Sequence, residues 1–133
     1  MVARWPRRGE IWWVETPNQP HDPDTPRTAL VVSENRRNYH KDDYIVVPAF
    51  SRGNLGPTRV FLPEGQGGIE HDSILFCDEV CCLDADLLDF ETGALGGQVD
   101  SDVLAEVVLK VRRAIGDVVP LQPGEEYPNL SFE

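Results

Sequence analysis

The stretch "TPRTALVVSE", residues 25–34, decides how the chain is read. Ala29 to Val32 is a run of four apolar residues, the mark of a buried strand. Arg27 stands two residues before that run, fixed beside Pro26. A guanidinium at a strand's mouth is either a solvated charge or a group aimed at an anion, and the stretch alone leaves both readings open.

Outward from this strand, short apolar runs alternate with turn residues. "RRGEIWWVE" (7–15) reads as a strand, with Ile11 and Trp13 on one face and Trp12 and Val14 on the other. One of the two tryptophans belongs to the core, and the other is free to stack on a base or a partner. Opposed tryptophans are more apolar surface than one side of a small barrel needs, which suggests a dimer contact. "TPNQPHDPDTP" (16–26) carries four prolines, which forbid regular pairing, and reads as an exposed loop. The second strand is "TALVVSE" (28–34), and "NRRNYHKD" follows as a helical turn. "DYIVVPAFS" (43–51) is a third strand and "PTRVFLP" (57–63) a fourth. "SILFCDEVCCLD" (73–84) is a long fifth strand with a bend near Asp78 and Glu79. "SDVLAEVVLKVRRAIG" (101–116) is an amphipathic helix, with Ser101 as its cap and Gly116 as its stop. Its apolar face is Val103, Leu104, Val107, Val108, Val111 and Ile115. Lys110, Arg112 and Arg113 read as solvated charges that suit the helix dipole. The fold expected is mainly β: a small antiparallel barrel or curled sheet closed by a C-terminal helix. Residues 1–117 form a single domain, and 118–133 a flexible acidic tail.

Charge and cysteines narrow the function. The chain of 133 residues has a net charge of −11, which argues against a generic nucleic-acid binder. The charge is uneven: residues 1–60 hold nine Lys or Arg against seven Asp or Glu, and residues 61–133 hold three against sixteen. A polyanion site therefore belongs to the first sixty residues. Cys77, Cys81 and Cys82 lack zinc-site spacing and read as buried reduced thiols. No metal site and no cofactor site is expected. No apolar run is long enough to span a membrane, and the start lacks a secretory pattern, so a cytoplasmic protein is expected. His21, His40 and His71 fall in polar loops and are set aside as acid–base candidates.

"RRGEIWWVE", "PRTALVVS", "IVVPAFS", "DSILFCDEV" with Leu83-Asp84, "TGALG" and the final amphipathic helix occur in an order that resembles the MazF/PemK toxin family over about residues 7–116. The resemblance implies an SH3-like barrel with a C-terminal α-helix and a homodimer. It implies cleavage of single-stranded RNA without metal, and an antitoxin protein as partner. It maps the family's arginine onto Arg27, its strand-end hydroxyl onto Ser51, and its loop acid onto Asp22, although the family's Gly-Gly is missing here. Arg52, Asn54 and Trp13 become candidate RNA contacts. A guanidinium forks onto phosphate oxygens and stays charged as negative charge builds on the phosphorane. Its role is electrostatic, extending to proton donation to the leaving oxygen. Two departures stand out: Cys81-Cys82 where relatives carry Arg-Thr, and Thr28 where they carry proline. Rival readings are a non-catalytic binding module on the same fold, resembling the topoisomerase-directed CcdB toxins, and a degenerate toxin that only binds antitoxin. The tail's acidic and apolar residues, among them Glu125, Glu126, Tyr127 and Phe132, leave two readings open: a segment that partly occupies the groove around Arg27, or a solvated end that only aids solubility.

Overall fold

The computed structural model describes residues 4–15, 27–117 and 119–124. Among these residues six antiparallel strands form one sheet: β1 (Ile11–Val14), β2 (Arg27–Val31), β3 (Asp43–Phe50), β4 (Arg59–Leu62), β5 (Ser73–Phe76) and β6 (Cys81–Asp84). Two helices complete it, α1 (Asn35–His40) and α2 (Ser101–Ala114). The order is β1-β2-β3-β5-β4, with β6 also on β3. Among the described residues, no helix is long and apolar enough to cross a membrane.

The eight-residue β3 organises the sheet. Its first half pairs with β6 (Asp43↔Asp84 to Val46↔Cys81), and its end pairs with β5 (Ala49↔Leu75, Phe50↔Ile74). The expected single strand over 73–84 is therefore two strands. A 3-10 turn over Cys77–Glu79 breaks it, where the apolar alternation gives way to Asp78 and Glu79. The break lets both pieces share one edge of β3, which curls the sheet.

Alternation divides the side chains into two buried clusters. Ile11, Leu30, Val47, Val60, Leu62 and Leu75 face α2, whose Val107 is fully buried among them. Burying each such side chain contributes about 1.5–3 kcal/mol. On the opposite face lie Trp12, Val14, Ala29, Val31, Tyr44, Val46 and Leu88. The segment after β6 closes the outer edge of β1: Leu95 N–H donates to the Ile11 carbonyl at 2.8 Å, and Asp89 N–H to that of Trp13 at 3.0 Å. Phe90 packs edge-on against Trp12 at 5.1 Å. The second face of β1 is thus covered within the chain, which removes the sequence argument that paired tryptophans need a second copy. The turn at Gly68 (φ 87°) packs so closely that a Cβ there would lie 2.7 Å from the backbone of Leu95 and Gly96.

Four further expectations change. Ser101 is the first helical residue, and Asp100 takes the N-cap position. Asp100 does not cap with its side chain; it exchanges two hydrogen bonds with Gln66, at 2.7 and 2.9 Å. Ile115 is 71% exposed rather than part of the apolar face, because the helix has ended before it. Cys77 is buried, but Cys81 and Cys82 are exposed, since β6 lies where neither of its faces is fully covered. Lys110 and Arg113 are buried, not solvated. Gly116 stops α2 at φ 94°, as its position implies.

Candidate active site

Arg27 is the first residue of β2, half-buried and paired with Val14 of β1. The register Thr28↔Ala49 sets Phe50 beside it on the same face. The guanidinium carbon lies 5.1 Å from the Phe50 ring centroid, a cation–π contact that holds the charge at the end of the strand. Arg27 borders a shallow apolar cleft with Ala29, Val46, Pro48, Cys81 and Leu83. The arginine at the strand's mouth is therefore a positioned charge on an aromatic base.

The contact continues across the sheet. Phe50 and Phe76 lie 4.5 Å apart between centroids, and the Arg59 guanidinium covers Phe76 at 3.8 Å. Arg59 also donates to the Asn54 carbonyl at 3.1 Å, which ties the β3–β4 loop to β4. Two arginines thus bracket two phenylalanines in tilted ring contact.

The other candidate residues distribute unevenly. Ser51 is exposed in the bend one residue past β3, so the strand places Phe50, and not Ser51, directly beside Arg27. Arg52 and Asn54 are exposed in the loop that Arg59 anchors. Trp13 is half-buried on the face opposite Arg27, because its partner is Thr28, whereas Trp12 is the core tryptophan. Asp22 and His21 lie outside the described residues. His40 and His71 are exposed. Sequence reasoning missed Phe50, Phe76 and Arg59. Alternation in "RVFL" already separates Arg59 and Phe61 from Val60 and Leu62, but nothing local shows that Phe76 lies beneath Arg59.

The surrounding electrostatics are simple. Arg37 binds the Asp43 carboxylate at 2.6 Å and holds it below the usual carboxylate range. Burial against the cleft raises the Cys81 thiol although part of that residue remains open. Among the described residues, no group of three His, Cys, Asp or Glu could hold a metal ion.

A curled antiparallel sheet backed by one C-terminal helix, with an arginine fixed at a strand mouth beside an apolar cleft, defines a small half-open β-barrel protein whose working surface combines cations with aromatic rings. Within that class the chain belongs to the PemK-like, MazF-like toxins of type II toxin–antitoxin systems, whose family model matches residues 7–115. Among solved structures it is similar to an endoribonuclease in complex with its cognate antitoxin from a mycobacterial species: 22% identity, TM-score 0.69, covering 86% of this chain and 99% of that one. It is also similar to MazF from Deinococcus radiodurans, with 27% identity, TM-score 0.66 and coverage of 86% and 99%. A MazE–MazF structure from the same organism aligns at 25% identity, TM-score 0.66, over 87% and 100%. No curated protein sequence matches the chain.

Proposed function

We propose that this protein is the toxin of a toxin–antitoxin pair and cleaves single-stranded RNA at a short recognition sequence. The observation that carries the reading is Arg27, held on Phe50 at the mouth of β2 in a chain of this toxin family. The ribose 2′-hydroxyl passes its proton to water and attacks the adjacent phosphate, the P–O5′ bond breaks, and the 5′-oxygen takes up a proton as it leaves, with no metal taking part. The Arg27 guanidinium takes up the extra charge on the phosphorane and protonates or hydrogen-bonds the leaving oxygen. One preorganised donor of this kind is worth about 3 kcal/mol of barrier. Ser51, one residue beyond Phe50, offers a hydroxyl to the same phosphate. Arg52 and Asn54 contact the RNA from the anchored loop and Asp22 is a further contact, whereas Trp13, on the face opposite Arg27, is left out of the site. The working form is a cytoplasmic homodimer, and an antitoxin segment covers the RNA surface. The relatives solved with their antitoxins support that partner.

A non-catalytic antitoxin-binding module is the second reading. It is favoured by Phe50, which puts a ring rather than a hydroxyl directly beside Arg27. One experiment separates the two. Purified protein is incubated with a mixed RNA pool in EDTA and the ends are analysed. The nuclease reading expects discrete cuts bearing 2′,3′-cyclic phosphate, and none where deoxyribose replaces the reacting ribose. An intact pool overturns it.

A further inference from the structure

We infer that Arg59 and Phe61 form a second RNA subsite on the sheet face beside Arg27, Arg59 taking a backbone phosphate and Phe61 stacking a base. The inference rests on the reading of Arg27 as the place of cleavage. Strand β4 turns Val60 and Leu62 into the core, so Arg59 and Phe61 both point outward. Phe61 is 47% exposed, a large ring presented to solvent by a rigid strand. Its cross-strand partner is Ile74, which is also the partner of Phe50. A continuous apolar and aromatic surface therefore runs from the Arg27 ring support to Phe61. Arg59 is fixed from two sides, by the Phe76 ring at 3.8 Å and the Asn54 carbonyl at 3.1 Å. A guanidinium so held loses little freedom on binding an anion.

Charge selects the occupant. Arg27 and Arg59 stand on the adjoining Phe50 and Phe76 rings, and Arg52 lies in the loop that Arg59 anchors, in a protein whose net charge is −11. A second copy meeting this patch across a two-fold axis would bring like arginines together. Alternating cations and exposed rings are instead what a single strand of nucleic acid needs: charge for its phosphates and faces for its bases.

The test measures binding of a fluorescent, mixed-sequence single-stranded RNA from about 50 to 300 mM salt. The variants are Arg59→Gln, Arg59→Lys and Phe61→Ala, with circular dichroism confirming the fold. Glutamine keeps an amide donor for Asn54 but removes the charge. Arg59→Gln should lower the slope of log affinity against log salt by about 0.7, the value for one single-strand phosphate, and Arg59→Lys should restore it. Phe61→Ala should weaken binding roughly five- to a hundredfold with the slope unchanged. Unchanged affinity and slope in folded Arg59→Gln and Phe61→Ala would overturn the subsite, even if the protein cleaves RNA. So would a Phe61→Ala protein that loses self-association while binding RNA normally. If the variants weaken binding as stated and the wild type cuts no RNA, the subsite stands and the nuclease reading falls.

Discussion

The ammonium of Lys110 donates a 2.8 Å hydrogen bond to the carbonyl of Arg59. One turn further along α2, Arg113 donates to the Pro57 carbonyl at 2.7 Å. Residues three apart share a helix face, so the two cations act as struts beneath the start of β4. The same short strand segment then presents Arg59 outward over Phe76. The helix thus supports the working face from behind, through backbone carbonyls rather than through the core side chains alone.

Lys110→Met keeps the apolar stem and removes the donor. The Arg59 carbonyl then loses its charged partner, and the expected loss of stability is about 1–3 kcal/mol by urea titration. Glu106→Gln is the control: Glu106 pairs with Lys110 at 3.3 Å but its side chain is half open to solvent, and exposed pairs contribute at most about 1 kcal/mol. Equal effects of the two substitutions would show that the ion pair, and not the carbonyl bond, anchors the helix.

Arg27→Ala should lower the rate of RNA cleavage at least about a hundredfold, with an unaltered melting transition. Arg27→Lys should recover only part of it, because an ammonium cannot fork onto two phosphate oxygens or lie flat on Phe50. Single-turnover cleavage of one identified RNA site makes the comparison. Wild-type rates from a folded Arg27→Ala protein would remove Arg27 from the chemistry.

What could be read in advance follows local physics. β2, β3 and α2 declare themselves through apolar runs, alternation and 3.6-residue periodicity, and Arg27 through its place before a buried run. The periodic positions of Lys110 and Arg113 suit a solvated, dipole-compensating role equally well; the carbonyls of Pro57 and Arg59, distant in sequence, are what bury them. The arginine–phenylalanine ladder was hidden for the same reason. It depends on the register of β3 with β5 and of β4 with β5, and register is a long-range property. Exposed Cys81 and Cys82 follow from the turn at Cys77–Glu79, which splits what reads as one buried strand.

Gly68→Ala should be among the most destabilising single-methyl additions in the chain. The residue sits at φ 87°, and its new Cβ would meet the Gly96 nitrogen and Leu95 carbonyl at 2.7 Å. Left-handed strain alone costs about 1–3 kcal/mol, and backbone atoms cannot rotate aside as a side chain does. Gly65→Ala shares the positive φ but meets no atom within 4 Å. A smaller drop in melting temperature for Gly65→Ala than for Gly68→Ala is expected, and equal drops would show that the contact with Gly96 is not tight.

Cys77 links the core to alkaline pH. Burial pushes its thiol up to about 12, whereas an unfolded cysteine ionises near its ordinary value of about 8.5. Below that value both states keep the proton, and the stability from Cys77 is fully present. Above it the unfolded chain releases a proton that the native chain retains, so stability falls as pH rises toward 12, by up to about 1.4 kcal/mol per pH unit. Burial also raises Tyr44, which steepens the alkaline loss in any variant that keeps it. Comparison with Cys77→Ala therefore isolates the thiol: the substitution costs stability at pH 8 through the small cavity it leaves, and the gap from wild type should narrow between pH 9 and 10.5. Thiol labelling reads the same burial directly. At pH 8 the native protein should react at Cys81 and Cys82 only, with Cys77 labelled after denaturant is added. Three fast thiols in the native state, or parallel stability curves for the two proteins, would show that Cys77 is open to water.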